Sequence, residues 1–352
     1  MNLFLIGAGF DKAATGGKAP LNRELLGKLK QFGEIWISGV QDLIECLRRY
    51  PTDDIEKCMT FLDMQIKNKR ARGDGDIDLR LQKWLRRALA RYFQQQDFCF
   101  QRSCLQDAPW LGTFAEKSFS ADDMIVNLNY SCFFEGLLDR FEMWSPLGGY
   151  SQSILELVYA DEDKSRLSVQ DLPKKNEGLQ NLIVYKIHGS ANFVEKGAEI
   201  AAEVSSGFFP SISIACYASD PSGRSYWQGG PPYVIAPSFV KIPHVQIGQM
   251  MVEVLDRVRE ARNFVVIGCS LRPEDGFLWL MLTQFFEHWR GRGCRGKIIV
   301  VDKDAKGVSE RVRSYFQAVH ESALSDGILK PLGCVEDSVG ELIDLLKPSS
   351  SG

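Results

Sequence analysis

The stretch Asn2-Leu3-Phe4-Leu5-Ile6-Gly7-Ala8-Gly9-Phe10-Asp11 opens with an apolar run that passes directly into Gly-Ala-Gly. An apolar run without polar alternation reads as a strand buried on both faces, as parallel sheets require. Four further segments share this pattern: Met124–Leu128, Leu182–Ile187, Phe264–Ile267 and Lys297–Val301. A sixth candidate spans Tyr233–Ala236. Helical spacing lies between some of them, as where Met251, Val254, Leu255 and Val258 recur at i, i+3, i+4 and i+7.

Strands alternating with helices predict an α/β fold: a Rossmann-like, doubly wound parallel sheet with helices on both faces. The region 40–107 breaks the alternation. It carries the helical segments Asp42–Arg49, Asp54–Arg70 and Asp78–Gln95 and no convincing strand. In the last of these, Leu81, Trp84, Leu85, Ala88, Leu89 and Tyr92 form one apolar stripe. The expected organisation is a catalytic domain from 1–39 and 108–347, an inserted helical module at 40–107, and a disordered tail at 348–352. A second insertion, Gly148–Gly178, is polar and reads as loop-rich. Within the helical module Lys67, Lys69, Arg70, Arg72, Arg80, Lys83, Arg86, Arg87 and Arg91 make a basic stretch offset by Asp74, Asp76 and Asp78. It reads either as a solvated face or as a docking surface for a second protein or nucleic acid.

With 352 residues, 45% of them hydrophobic, the chain can bury a large core without disulfide or metal staples. A formal net charge of -3 argues neither for a nucleic-acid coat nor for a membrane-surface protein. Nine cysteines with no Cys-x-x-Cys pair fit a reducing compartment and give no structural zinc site, so no metal is expected. Met1–Gly7 lacks the features of a secretory signal, and the longest apolar segment, Phe277–Phe286, is about half a membrane span. A cytoplasmic protein without a membrane segment is expected.

Each apolar run ends in small and polar residues. Gly7-Ala8-Gly9-Phe10-Asp11 follows the first, Asn129-Tyr130-Ser131 the second and His188-Gly189-Ser190 the third, with Gly268-Cys269-Ser270 and Asp302 after the last two. Open α/β sheets bind ligands outside the carboxyl ends of their strands, so these clusters on one edge predict a crevice. Gly7 and Gly9 suit either the approach of backbone N–H groups to a pyrophosphate or an ordinary strand-to-helix turn. A dehydrogenase fingerprint wants a third glycine where Lys12 stands, and Gly16-Gly17-Lys18 lacks the rest of a P-loop. His188, one of four histidines, reads as a base at the mouth of a site or as a satisfied core histidine. Asn129 can position a water or a sugar, or support a turn. Asp302 can take a ribose diol or cap a helix. Gly268 and Ser270 suit adenosine-side phosphate or ribose, and Cys269 between them reads equally as part of a plain turn.

Together these residues resemble the sirtuin-like superfamily, in its bacterial branch of NAD-hydrolysing antiphage-defence proteins. Gly7-Ala8-Gly9-Phe10 with Pro20 resembles the opening GAG motif and its downstream proline. Asn127-Leu128-Asn129-Tyr130 with Glu135 resembles the TTNYD…E segment, and Lys186-Ile187-His188-Gly189-Ser190 with Phe193 resembles KLHGS-x-x-W. Pro232, Pro237 and Lys241 resemble a Pro-rich strand and loop, and Gly268-Cys269-Ser270-Leu271 with Asp275 resembles GYSL…D. Ser131 stands where Asp is usual, and Cys269 replaces an aromatic residue. The zinc-binding cysteines of deacetylase sirtuins are missing, which fits the hydrolase branch.

The resemblance implies a NAD hydrolase with Asn129 and His188 catalytic. It places NAD, as substrate, on Gly7, Ala8, Gly9, Phe10, Asp11, Pro20, Tyr130, Gly268, Ser270 and Asp302, and it implies depletion of NAD in antiphage defence. It also implies a homo-oligomer and leaves room for a partner subunit such as a translocase-type ATPase or a nucleic-acid-sensing protein. The alternatives are a NAD-dependent protein deacylase or ADP-ribosyltransferase, and a non-catalytic nucleotide-sensing assembly subunit.

Overall fold

A computed structural model describes residues 1–36, 54–70, 104–145, 149–151, 157–159, 182–196, 199–204, 232–234, 245–292, 296–320 and 327–347. It also describes helical positions at 82, 85, 86, 88–90, 92, 93, 95, 96 and 100. The expected helix Asp42–Arg49, the tail 348–352, Pro237, Lys241 and most of the basic stretch and of Gly148–Gly178 lie outside the described residues.

The strands are β1 (Leu3–Ile6), β2 (Met124–Asn127), β3 (Leu157–Tyr159), β4 (Ile183–Tyr185), β5 (Gly189–Lys196), β6 (Glu199–Val204), β7 (Pro232–Val234), β8 (Asn263–Ile267), β9 (Lys297–Val301) and β10 (Leu329–Leu332). The helices are α1 (Ala8–Ala14), α2 (Asn22–Trp36), α3 (Ile55–Arg70), α4 (Trp110–Lys117), α5 (Phe133–Arg140), α6 (Val245–Val258), α7 (Gly276–Arg292), α8 (Ala305–His320) and α9 (Val335–Leu346).

Six strands form one sheet in the order β10-β9-β8-β1-β2-β4, every pair parallel. Numbered by chain position within this sheet, that is the Rossmann order 3-2-1-4-5-6, read from the β4 edge. The fold is α/β and Rossmann-like, with helices packed around the sheet. Leu3, Phe4, Leu5 and Ile6 of β1, and Phe264 to Ile267 of β8, have no exposed surface, which is why neither strand alternates. The sheet reverses direction of growth between β1 and β8, at the point where such folds open a crevice.

Two expectations about strands need correction. Of Tyr233–Ala236 the structure describes Tyr233 and Val234, which do not join the parallel sheet; Pro232–Val234 instead pairs antiparallel with β5 in a second sheet, ordered β3-β6-β5-β7. The sixth parallel strand is β10, Leu-Lys-Pro-Leu, at the sheet edge. Proline is tolerated on an edge strand because its missing N–H faces no partner there. Two strands of the second sheet, β5 and β6, together with β3 inside the segment expected to be loop-rich, carry no buried-strand signature.

The chain passes between the sheets at His188, where Gly189 takes φ +74° and begins β5. Tyr150 fastens this junction: it bridges to Val184, its hydroxyl accepts from Asn192 at 3.0 Å, and its ring stacks edge-on to Trp144 and Phe193.

A second, smaller core joins α2 and α3 to the helical positions 82–96. Leu25, Leu26, Leu29, Ile55, Met59, Leu62, Leu85 and Leu89 are buried in it, and so is Tyr130 from the loop after β2. These helices thus pack onto Tyr130 at the rim of the sheet.

Candidate active site

Register sets the rim. Ile6 lies opposite Asn127 and Ile267, and Ile267 lies opposite Val301, so these strands end at one level. The residues that follow, Gly7, Leu128, Gly268 and Asp302, therefore emerge side by side. They open onto a cavity of about 1470 Å³. That exceeds the roughly 300–1,000 Å³ of ordinary small-molecule sites, so the space suits a ligand as long as a dinucleotide.

Of the residues singled out from the sequence, Gly7, Ala8, Gly9, Asp11, Pro20, Asn129, Tyr130, His188, Gly268, Ser270 and Asp302 all line this cavity. Phe10 does not. Its ring is fully buried among Trp110, Phe114 and Phe134, so it supports the loop from the core side, and a ligand role for its side chain is withdrawn.

The glycines serve a close crossing of two loops. A Cβ on Gly7 would lie 2.5 Å from the Gly268 carbonyl oxygen, and one on Gly9 would lie 2.8 Å from Gly268 Cα. Gly268 itself has φ +59°, and a Cβ there would meet the Phe10 nitrogen at 2.1 Å. The Gly9 N–H donates to Gly268 O at 2.9 Å and the Phe10 N–H to Gly7 O at 2.9 Å. Those two N–H groups are bonded within the fold, and the glycines serve the close packing of the two loops. Gly16 and Gly17 end α1 with positive φ, their amides bonded to Ala13 O and Lys12 O.

The Asn129 side chain is held by α1 and the first loop. Its Nδ2 donates to Gly7 O at 3.2 Å and to Asp11 Oδ1 at 2.9 Å. Because a main-chain carbonyl can only accept, the amide orientation is fixed, and Oδ1 is the atom the side chain can offer a ligand. Asp11 also accepts from Ser131 Oγ. Its carboxyl is buried, and desolvation pushes it up from 3.8 to about 7, against the pull of the Ser131 and Asn129 hydrogen bonds and of the Lys186 charge.

Beneath them lies a buried ion pair. Lys186 Nζ sits 2.9 Å from Glu135 Oε1, both side chains being fully buried, and donates to the main-chain oxygens of Asn129 at 2.6 Å and Ser131 at 2.7 Å. Asn127 links in from β2: its Nδ2 donates to Glu135 at 3.1 Å, and its Oδ1 accepts the Asn129 N–H at 3.0 Å. The Ala191 N–H donates to Tyr130 O at 2.7 Å. The loops that carry Asn129 and His188 are thereby stitched together.

His188 is buried with its Nε2 3.1 Å from Asp275 Oδ2. A carboxylate there orients the ring and stabilises the cation formed when the ring takes a proton. The Cys269 thiol is pushed up to about 12 by burial and stays protonated, which rules it out as a thiolate nucleophile near neutral pH. Burial also raises the Tyr130 phenol well above 10, so it stays neutral.

At the far side, Ser270 is exposed and Asp302 half-buried. The capping role weighed for Asp302 falls to its neighbour: Asp304 Oδ1 accepts the Gly307 N–H of α8 at 3.2 Å, while Asp302 Oδ1 braces the turn by accepting the Asp304 N–H at 2.8 Å. Arg311 closes this end, its Nε donating to Ser270 O at 3.0 Å.

Sequence reasoning gave no role to Asp275, Lys186 or Glu135, although each stood within a quoted motif. It missed Asp54, Glu56 and Arg272 altogether. These line the cavity too, Arg272 Nη1 donating to Glu56 at 2.6 Å and to Asp54 at 3.3 Å. Leu271, just before Arg272, is a non-glycine residue at φ +46°, a conformation costing about 1–2 kcal/mol that is held by full burial of its side chain. Among the described residues no helix is long and apolar enough to cross a membrane.

The chain matches no protein-family model and no curated protein.

Proposed function

We propose that the protein is a sirtuin-like NAD hydrolase that cleaves the bond between nicotinamide and ribose C1′. One observation carries the reading: Asn129 and His188, on stitched loops after neighbouring parallel strands, face one dinucleotide-sized cavity beside the Rossmann crevice. The motif resemblance supplies the substrate, and the chemistry of the two side chains suits it.

Nicotinamide departs as a neutral molecule from a pyridinium, and positive charge builds on the ribose ring at C1′. The protein has to orient the sugar, exclude bulk water and admit one water molecule. Asn129 Oδ1, fixed by Gly7 and Asp11, accepts a hydrogen bond from the ribose or from that water. His188 takes the water proton as its oxygen bonds to C1′, with Asp275 stabilising the imidazolium. The balance is NAD⁺ and water in, with nicotinamide, ADP-ribose and a proton out. Gly268, Ser270 and Asp302 accommodate the adenosine half. On the same reading the enzyme acts as a homo-oligomer or with a partner subunit and halts phage growth by depleting NAD.

The test is nicotinamide release from NAD by the purified full chain at low and high protein concentration. His188→Ala is expected to lower kcat by about 10²–10⁴-fold and Asn129→Ala by about 10²–10³-fold. Nicotinamide release that is unchanged in both variants defeats the assignment.

A further inference from the structure

The segment Gly268–Asp275 carries the chain from β8 into α7 and touches two distant parts of the cavity at once. Its backbone enters the left-handed region twice, at Gly268 and at Leu271, and buried Leu271 pins the second bend. Arg272 then reaches out to the inserted helix α3, donating to Glu56 and Asp54. Both carboxylates are nearly buried, whereas the guanidinium is 33% exposed. They are themselves fixed: Asp54 Oδ1 accepts the Glu56 N–H at 2.9 Å, and Asn22 of α2 donates to Glu56. At its main chain, Arg272 O accepts the Asp275 N–H at 3.1 Å and the Trp279 indole N–H at 3.0 Å. The guanidinium grip and the Asp275 carboxylate therefore belong to one turn. From that turn Asp275 meets His188 at 3.1 Å.

We propose that Arg272 is a positioning residue: clamped by Asp54 and Glu56 of the helical insertion, it sets the turn from which Asp275 holds the His188 imidazole. Its consequence for catalysis rests on His188 being the base; the mechanical linkage does not. The insertion is then part of the catalytic apparatus, because a shift of α3 is felt at His188 through a single arginine. An ordinary surface ion pair would contribute little, but here both acids are withdrawn from water and the bonds are charge-assisted.

The test follows the ring signals of the four histidines by NMR as a function of pH in the full chain, with His188 assigned by the signal lost in His188→Gln. Arg272→Gln and Glu56→Gln are expected to move the His188 titration midpoint in the same direction as Asp275→Asn, and Arg272→Lys is expected to restore most of it. In parallel, kcat for nicotinamide release should fall about 10–100-fold with KM within about threefold. A His188 titration identical to wild type in folded Arg272→Gln and Glu56→Gln overturns the proposal. Should Arg272→Gln fail to fold, Glu56→Gln keeps the guanidinium and its Asp54 contact and decides the question alone. A wild-type chain that releases no nicotinamide overturns the NAD reading, while the His188 shift still decides the linkage.

Discussion

The two ends of the cavity are built differently. Around β2 and β4, Asp11, Asn127, Asn129, Glu135, Lys186 and His188 are all buried, and each is tied to at least one other polar group. Around β8 and β9, Ser270, Lys303 and Asp304 are exposed, Asp302 is half-buried, and Arg311 is 37% exposed. Buried, interlocked polar groups make a rigid surface whose donors and acceptors cannot reorganise cheaply. Exposed ones adapt to a ligand at little cost to the fold. The first end is suited to chemistry and the second to docking, so substitutions of the buried polar groups at the first should unfold or inactivate, and those of the exposed polar groups at the second should only weaken affinity.

The strongest way to break this contrast is Lys186→Met, which strands the Glu135 carboxylate in the interior. A loss of about 3–5 kcal/mol is expected in urea unfolding. A loss under about 1 kcal/mol would mean the β2–β4 end is not locked as described. Next comes Gly268→Ala, which forces a Cβ against the Phe10 nitrogen at positive φ. It should cost about 2–4 kcal/mol by the same measurement, through strain rather than charge.

Asp11→Asn sharpens the comparison through pH. The wild-type carboxyl holds its proton to about pH 7 when folded but only to 3.8 when unfolded. Its contribution to stability is intact below about pH 4 and is lost as the pH rises toward 7, because the unfolded chain releases its proton first. Relative to wild type, Asp11→Asn should therefore gain stability between about pH 4 and 7 and level off above. Parallel unfolding curves at every pH would remove Asp11 from the buried network. The smallest effect belongs to the open end. Asp302→Asn keeps the acceptor for the Asp304 N–H but loses the charge, and KM for NAD should rise about three- to tenfold with kcat unchanged. A fall in kcat instead would erase the distinction between the two ends.

Much of this plan was readable beforehand. Strands buried on both faces announce themselves by continuous Val, Ile, Leu and Phe, which is why β1, β2, β4, β8 and β9 stood out. Strand β10 did not, because an edge strand needs only one protected flank and accepts Lys330 and Pro331. The rim followed from the strands, since small and polar residues at their carboxyl ends have few other uses. What stayed hidden were the charges inside. Lys186 and Glu135 are residue types that normally stay in water, and nothing in their spacing reports that they neutralise each other 0% exposed. Phe10 misled in the opposite sense: adjacency to Gly-Ala-Gly suggested a ligand contact, whereas helix α1 turns its ring inward. The Arg272 contacts with Asp54 and Glu56 span more than two hundred positions, a range that no local pattern covers.

The manner in which Lys186 grips the loop after β2 has an evolutionary corollary. Its ammonium group holds the peptide oxygens of residues 129 and 131 and leaves their side chains alone. Any amino acid can supply a peptide oxygen, so this anchor survives replacement of either side chain, whereas the bonds of Asn129 and Ser131 to Asp11 do not. Changes at those two positions can alter the polar surface that faces the cavity while the ammonium grip beneath stays in place.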